Sequence, residues 1–333
     1  MTTNLQILPA VRGRGMLWAS GAAGLTALLF ALTRGVSPTS PWVFIPWFAS
    51  LLIWGLPHGA IDHELIEAMW RRPGIGPLGL IVFLYAAVVA TGLAAWWVAP
   101  RVMFFAFIVV TFFHWGTADL WWSWHREPAA FPTFGRRLIF ALWRGALPML
   151  LPLVTYPDIY RRTAEAACGA FGAVADFGWL ADPRVRISAA TTCLVVGVAD
   201  WILAVPSRTR SVNRAESIAL VAGFLAINPI LSIGIYFTCW HGLRHVLRLT
   251  SDSPLPPPAR LRFFARRALP MTLLSLVGLA ALWFWGQAPT RVDSLLGIYL
   301  ALIASLTLPH AVLVLVMDLR EGLWHEGKLH WKK

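Results

Sequence analysis

Long apolar stretches alternate with short polar segments along the whole chain. A membrane-crossing helix needs about 17 to 25 apolar residues, and stretches suited to this role recur throughout the sequence. The candidate spans cover 16–33, 41–57, 78–98, 102–122, 138–155, 186–205, 215–249, 268–286 and 294–317. The pattern predicts an all-α polytopic membrane protein, a bundle of about 8–10 transmembrane helices.

Two stretches leave the helix count open. Residues 163–180 are moderately apolar but contain Glu165 and Asp176, so they either cross the membrane or lie at its surface. The run 215–249 is interrupted by Asn228 and Pro229, which either kink one helix or separate two short ones. Two assignments give the last span the same orientation. In the first, 163–180 crosses the membrane and 215–249 is one helix; in the second, 163–180 does not cross and 215–249 is two helices.

Composition supports the membrane assignment and excludes one class of partner. The chain is 58% hydrophobic and 13% charged, whereas soluble domains carry about 25% charged residues. Its net charge of +12 comes from arginines between apolar segments and not from a basic stripe, so nucleic acid is not an expected partner. Paired arginines occur at 71–72, 136–137, 161–162 and 266–267.

Charge also predicts an orientation. We expect a single integral membrane domain over 1–333, with cytoplasmic tails at 1–15 and 318–333, in the cell membrane. Arg12 and Arg14 precede an apolar stretch with no clear cleavage site, so the first helix is expected to stay attached. This placement puts the arginine pair at 71–72 and the C-terminal lysines on the inner side, as the positive-inside rule requires.

Histidines provide the candidate chemistry. His241 and His245 are four residues apart, so on a helix they lie on one face, roughly 6 Å apart along the axis, and can bind one metal ion. His58, His114 and His310 fall in other spans, at positions that the topology brings to the same inner-leaflet depth. Ionisable groups at membrane depth are costly and usually mark a site. His125, His325 and His330 sit in polar flanks and are not expected to take part.

The ligand type restricts the metal. Imidazole suits iron, copper and zinc, and an all-histidine site with open positions is expected for ferrous iron that binds dioxygen, with zinc left as an alternative. Asp62 and Asp119 follow His58 and His114 by four and five residues. Either carboxylate is placed to accept a hydrogen bond from a ligand imidazole and fix its orientation.

Four motifs occur in a distinctive order. They are Gly-Leu-Pro-His-Gly-Ala-Ile-Asp-His at 55–63, Phe-His-Trp-Gly-Thr-Ala-Asp at 113–119, Trp-His-Gly-Leu-Arg-His at 240–245 and Leu-Pro-His-Ala at 308–311. Together they resemble the Brp/Blh family of β-carotene 15,15'-dioxygenases. The resemblance implies an Fe(2+)-dependent membrane enzyme that cleaves the central double bond of β-carotene with O2 to give two molecules of all-trans-retinal.

The resemblance also implies which residues act. Carried over by motif, the catalytic iron ligands would be the four residues His58, His114, His241 and His245. His63 and His310 are additional candidates, and Asp62 and Asp119 are candidates for orienting a ligand. Proteins of this family supply chromophore to microbial rhodopsins, so a functional link to a rhodopsin through retinal is expected.

Other functions remain as alternatives. Paired histidines on facing helices also hold haem in electron carriers, and histidines along a pathway occur in transporters. A different carotenoid would suit the same kind of pocket. A desaturase-like di-iron enzyme would need HxxHH motifs, which are absent, and a retinal-binding opsin would need a lysine within a span, whereas all three lysines lie at Lys328 or beyond.

Overall fold

The computed structural model describes residues 14–70, 75–173, 175–250, 256–285 and 292–325, and these ranges contain helices and connecting turns but no β-strand. Short 3₁₀ turns lie at Pro41–Phe44, Pro128–Ala130 and Gly178–Ala181, and Tyr236–Gly242 is a π-helix. The α-helices are α1 Arg14–Thr33, α2 Ile45–Leu52, α3 Gly55–Gly59, α4 Asp62–Trp70, α5 Ile75–Val98, α6 Pro100–Arg126, α7 Phe134–Thr155, α8 Pro157–Gly169, α9 Pro183–Ile202, α10 Arg210–Ala226, α11 Pro229–Ile235, α12 Leu243–Thr250, α13 Pro257–Trp285 and α14 Val292–Arg320.

Long apolar helices recur along the described chain. Six helical segments are long and apolar enough to cross a bilayer, and apolar stretches at 20–33 in α1 and 82–98 in α5 are shorter. The prediction of an all-α polytopic protein is therefore confirmed, and the chain is a multi-pass membrane protein.

Helix α14 lies at the centre of the bundle. It packs against α5, α6 and α8, and most of its side chains between 294 and 305 are buried. Helices α6 and α7 run antiparallel and cross at two glycines. A Cβ atom on Gly116 would lie 2.1 Å from the Ala141 carbonyl oxygen, and one on Gly145 would lie 2.1 Å from that of Phe112. Only glycine permits this backbone approach, which holds the middle of α6 in place.

The second predicted span is longer than expected and is broken into pieces. Its crossing segment extends from Pro41 to Glu67, whereas the sequence predicted 41–57. Helix α2 ends at Leu52, and α3 and α4 follow as separate helices. Pro57 has no N–H to donate to the preceding turn, which accounts for the break before α3. His58 consequently lies inside the segment and not at its end.

Both ambiguous stretches are resolved. Residues 163–180 do not cross, because α8 has 13 residues and is followed by turns, so its length of about 20 Å is less than the hydrocarbon core of about 30 Å. The run 215–249 is two antiparallel segments, α10 and α11–α12, which turn at Ile227 and Asn228. Glu216 and Arg244 lie at the same level on them, joined by a hydrogen bond of 2.8 Å.

The chain ends differ in part from the predicted tails. Residues 1–13 and 326–333 lie outside the described residues. Residues 318–325, predicted as tail, are packed: the Asp318 carboxylate is buried against Arg248 at 2.7 Å, and Leu323 is fully buried.

Outside the spans, Glu127 accepts hydrogen bonds from the backbone N–H groups of Thr209 and Arg208. These bonds, that from Thr209 first, hold the pKa of the Glu127 carboxyl below its usual value.

Candidate metal centre

Five histidine rings from five helical segments converge inside the bundle. They are His58 on α3, His114 on α6, His241 on the π-helix, His245 on α12 and His310 on α14. Ring centroids are separated by 5.4 Å for His58–His241, 5.2 Å for His58–His245, 5.1 Å for His58–His310, 4.9 Å for His114–His241, 4.9 Å for His114–His310 and 5.1 Å for His245–His310. We call these residues the histidine cluster.

The geometry of the histidine cluster suits a metal ion. One ring nitrogen from each of His58, His114 and His241 lies within 4.8 Å of the others, so these three residues could hold an ion between them. The Nε2 atoms of His114, His241, His245 and His310 are buried and make no hydrogen bond to a described residue. Buried polar atoms are normally paired, and neutral imidazole nitrogens that face one another are the donor set of an iron, copper or zinc site.

A π-helix and a glycine place His241 beside His58. The segment Tyr236–Gly242 is wound as a π-helix, a feature that often occurs at functional sites. A Cβ on Gly242 would lie 2.9 Å from the carbonyl oxygens of Phe237 and Trp54. Because Trp54 also accepts a hydrogen bond of 3.0 Å from Nδ1–H of His58, the close approach at Gly242 sets the position of the His58 ring. The rings of His241 and His245 lie 6.3 Å apart, and only His241 belongs to the group of three whose ring nitrogens lie within 4.8 Å of one another. That both residues bind one metal ion stays a prediction.

Asp62 orients a histidine, but this histidine is His310 and not His58, which Asp62 follows by four residues in the sequence. Nδ1–H of His310 donates to the Asp62 carboxylate, at 2.9 Å to Oδ2 and 3.0 Å to Oδ1. The Tyr85 hydroxyl donates to the same Oδ2 at 2.8 Å. This places the Nε2 lone pair of His310 towards the histidine cluster. Tyr85 was not predicted from the sequence, where it is a lone hydroxyl in an apolar run.

Asp119 and His63 have other roles than those expected. The Asp119 carboxylate accepts hydrogen bonds from Trp240 Nε1 at 2.7 Å and from Arg244 and Arg144, and it bonds to no histidine among the described residues. It therefore anchors the segment that carries His241 without touching the ring. His63 is partly exposed at the cavity wall, 3.3 Å from the Glu64 carboxylate, and its ring lies outside the histidine cluster.

A buried ion network supports the centre from one side. Glu216 accepts hydrogen bonds from Arg126, Arg144 and Arg244 at 3.1, 3.1 and 2.8 Å, and Arg144 and Arg244 also contact Asp119. Charged side chains within apolar runs indicate in the sequence that such a network exists. Which of them pair is not visible there, because the partners are far apart in the chain.

An apolar cavity of about 460 Å³ opens on the other side of the histidine cluster. His58, His114, His241 and His310 form part of its wall, and the rest is mainly aliphatic and aromatic. A separate void of about 10 Å³ lies behind the cluster, lined by polar side chains that include His245, Asp119 and Arg248. That void is the size of about one water molecule. The histidines thus lie between the large apolar cavity and a small void whose lining includes charged residues.

The chain is similar to proteins of one known family. The family model described as β-carotene 15,15'-dioxygenase matches residues 49–318. A protein of Halobacterium salinarum named "Probable beta-carotene 15,15'-dioxygenase Blh" is 36% identical over 315 residues, which cover 89% of this chain and 90% of that protein.

A second relative is more distant. The protein named "Probable beta-carotene 15,15'-dioxygenase Brp", also from Halobacterium salinarum, is 23% identical over 311 residues, or 84% of each chain. No solved structure matches the chain. The family match contains all five members of the histidine cluster and covers most of the chain, and the resemblance seen in the sequence motifs is confirmed. The chain belongs to the β-carotene 15,15'-dioxygenase family of enzymes.

Proposed function

We propose that the chain cleaves the central double bond of β-carotene with O2, in a reaction that depends on Fe(2+), and releases two molecules of all-trans-retinal. The observation that carries this proposal is the position of the histidine cluster: four of its five buried imidazoles, those of His58, His114, His241 and His310, form part of the wall of an apolar cavity of about 460 Å³ within the bundle. A metal held there would meet a hydrocarbon substrate without an aqueous boundary between them.

The residues fit an iron ion. His58, His114, His241 and His245 would hold it through ring nitrogens, and Nε2 of the last three lacks a hydrogen-bond partner among the described residues. His310, fixed by Asp62, is a further nitrogen donor. Iron held by neutral ligands supplies the binding and activation of dioxygen. Nδ1 of His58 and of His310 is occupied by hydrogen bonds to Trp54 and Asp62, so each ring presents Nε2 inwards.

The cavity would select the bond that is cleaved. Its wall is apolar over most of its area, so it excludes water and takes up a polyene from the bilayer. Side chains such as Trp115, Phe237 and Phe104 line it and would hold the chain of double bonds beside the histidine cluster, where positioning alone lowers the barrier. Retinal leaves into the lipid, which would make it available to a microbial rhodopsin.

The close packing of the rings in the histidine cluster makes a haem-binding electron carrier a weaker candidate. Two axial histidines leave the plane between them free for the macrocycle. Here each ring of the cluster has at least two others with centroids within 5.4 Å, and these rings take up that plane. A Soret band in the purified protein would overturn this conclusion.

The test combines product and metal analysis. Cells that make β-carotene should lose colour and accumulate retinal, identified by chromatography, when they express the chain, and the purified protein should contain iron. His241→Ala and His245→Ala should each abolish cleavage and lower the iron content. His325→Ala is the matched control, because His325 is exposed and outside the cluster. Equal iron content in all three variants would contradict the ligand assignment.

Substrate and location are part of the proposal. Supplying other carotenoids to the same cells tests the alternative substrate, because a preference for one of them over β-carotene would reassign the reaction. We place the protein in the cell membrane as a single domain with both termini and the histidine cluster towards the cytoplasm. Fusion of a reporter enzyme to each terminus tests the orientation.

A further inference from the structure

The wall of the apolar cavity is incomplete in one place. The cavity is lined by side chains from most of the bundle, and nearly all of them are buried or half-buried. Four lining residues are exposed, namely Val82, Ala86, Ala90 and Leu274. The first three belong to α5 and the last to α13, so the cavity reaches the outside of the protein between these two helices.

The residues on the two sides of this opening follow helical spacing. Val82, Ala86 and Ala90 are successive turns of one face of α5, a length of about 12 Å. On α13 the lining positions are 271, 274, 275 and 278, which also form one face. Between them lies α14, against which both helices pack. The opening is therefore an elongated slot that runs along the helices.

The floor of the slot leads to the metal centre. The residues of α14 that line the cavity here are Ile303, Leu306, Thr307 and His310, again on one helix face. Tyr85, which hydrogen-bonds to Asp62, lies one residue from Ala86 on the α5 side. A molecule that enters the slot meets apolar side chains first and His310 at the inner end. In the other direction the cavity ends at buried side chains that include Phe104, Met149 and Tyr160.

The mouth of the slot faces hydrocarbon. Helix α13 is one of the membrane-crossing helices, and two of the exposed lining residues, Val82 at 37% exposure and Leu274 at 63%, are large and apolar. An exposed apolar surface of this kind on a spanning helix contacts lipid. An aqueous ligand would not reach the slot, whereas a hydrocarbon chain dissolved in the bilayer would.

We propose that the slot between α5 and α13 is the entrance through which a carotenoid passes sideways from the bilayer to the histidine cluster. One half of the polyene occupies the closed end of the cavity, and the other half remains in the slot. The inference rests on the proposed function for the identity of the occupant. It assigns a role to Ala86, Ala90 and Gly278, whose small side chains keep the slot open; a Cβ on Gly278 would have no atom within 4 Å.

The test narrows the slot and measures uptake without cleavage. The protein is placed in lipid nanodiscs with its iron, oxygen is removed, and transfer of β-carotene from donor vesicles is followed by the carotenoid bound per protein. Gly278→Trp and Ala86→Trp should slow uptake about tenfold or more, because a bulky ring fills the passage. Val277→Trp and Leu84→Trp are the matched controls, since they are neighbours on the same helices that do not line the cavity.

The outcomes separate the entrance from the reaction. Wild-type uptake in both slot variants, or equal slowing in all four variants, would overturn the entrance. Slow uptake confined to the slot variants supports it, provided that all four proteins keep wild-type iron content and melting temperature. If the wild type takes up β-carotene through the slot but forms no retinal in air, the entrance stands and the proposed reaction fails. If the wild type cleaves β-carotene and the slot variants do so equally well, the reaction stands and the entrance fails.

Discussion

Tyr85, Asp62 and His310 form a short chain of hydrogen bonds at the wall of an otherwise apolar cavity. A carboxylate at this depth is costly unless its oxygens accept hydrogen bonds. Both oxygens of Asp62 do so, from Nδ1–H of His310 and from the Tyr85 hydroxyl. The result is that the His310 ring has one fixed orientation, with Nε2 towards the other histidines.

Removing the Tyr85 hydroxyl should loosen this orientation without removing a ligand. Tyr85→Phe removes one of the two hydrogen bonds to Oδ2 of Asp62 and leaves the one from His310. The loss of one hydrogen bond corresponds to about a two- to tenfold fall in cleavage rate. Asp62→Asn should cost more, about 10- to 100-fold in iron affinity or rate. Iron content and retinal formation are measured together. Tyr160→Phe is the control, because Tyr160 lines the far end of the same cavity; an equal effect there would contradict a specific role for Tyr85.

Glu216 is the acid that three arginines share, and its loss should affect folding. Glu216→Gln removes the charge that pairs with Arg126, Arg144 and Arg244 inside the bundle. Breaking a buried ion pair costs about 3–5 kcal/mol, so little folded protein should be recovered after extraction. In contrast, Glu165→Gln breaks a partly exposed pair with Arg161, worth less than about 1 kcal/mol. Yield and melting temperature distinguish the two, and similar values would refute the structural role of the network.

At the level of helices, the sequence predicts continuous spans well and interrupted ones poorly. The apolar runs at 102–122 and 294–317 are close to α6 and α14, since a bilayer requires continuous helix where no other partner exists. Pro57 and Pro229 mark the two interruptions in the sequence, but whether each one kinks a helix or separates two helices depends on tertiary packing, as does the π-helix before Leu243. The histidine cluster was predictable because histidines are rare in apolar runs, whereas Tyr85 and the partner of Asp62 were not, because their contacts join distant segments.

The crossing of α6 and α7 offers a test at this scale. Gly145→Ala would place a Cβ 2.1 Å from the Phe112 carbonyl oxygen, so the helices must separate and His114 must shift. Such overpacking costs about 1–3 kcal/mol, and a lower melting temperature together with reduced iron content is expected. Gly135→Ala in the first turn of the same helix meets no atom within 4 Å. That variant should melt at or above the wild-type temperature, and the opposite order of the two variants would contradict the packing.

For the whole molecule, two environments meet at the histidine cluster. The buried ion network of Asp119, Glu216 and their arginines joins α6, α7, α10 and α12 on one side. The apolar cavity and its slot lie on the other, towards α5, α13 and α14. A rigid polar half holds several of the histidines in place, while the opposite half admits a lipid-soluble molecule. This division explains why charged residues persist in a chain that is 58% hydrophobic.

The same division predicts how the reaction depends on the membrane. If the carotenoid enters between α5 and α13 from within the bilayer, the rate follows its concentration in the lipid and not in the total volume. Diluting proteoliposomes with buffer should leave the rate per protein unchanged. Raising the ratio of lipid to protein in the proteoliposomes, at constant amounts of protein and β-carotene, dilutes the carotenoid in the bilayer. Below saturation, the rate should fall in proportion to the concentration of β-carotene in the lipid. Retinal formed per minute is measured across both series, and a rate that follows bulk concentration would mean that the substrate arrives from the aqueous side.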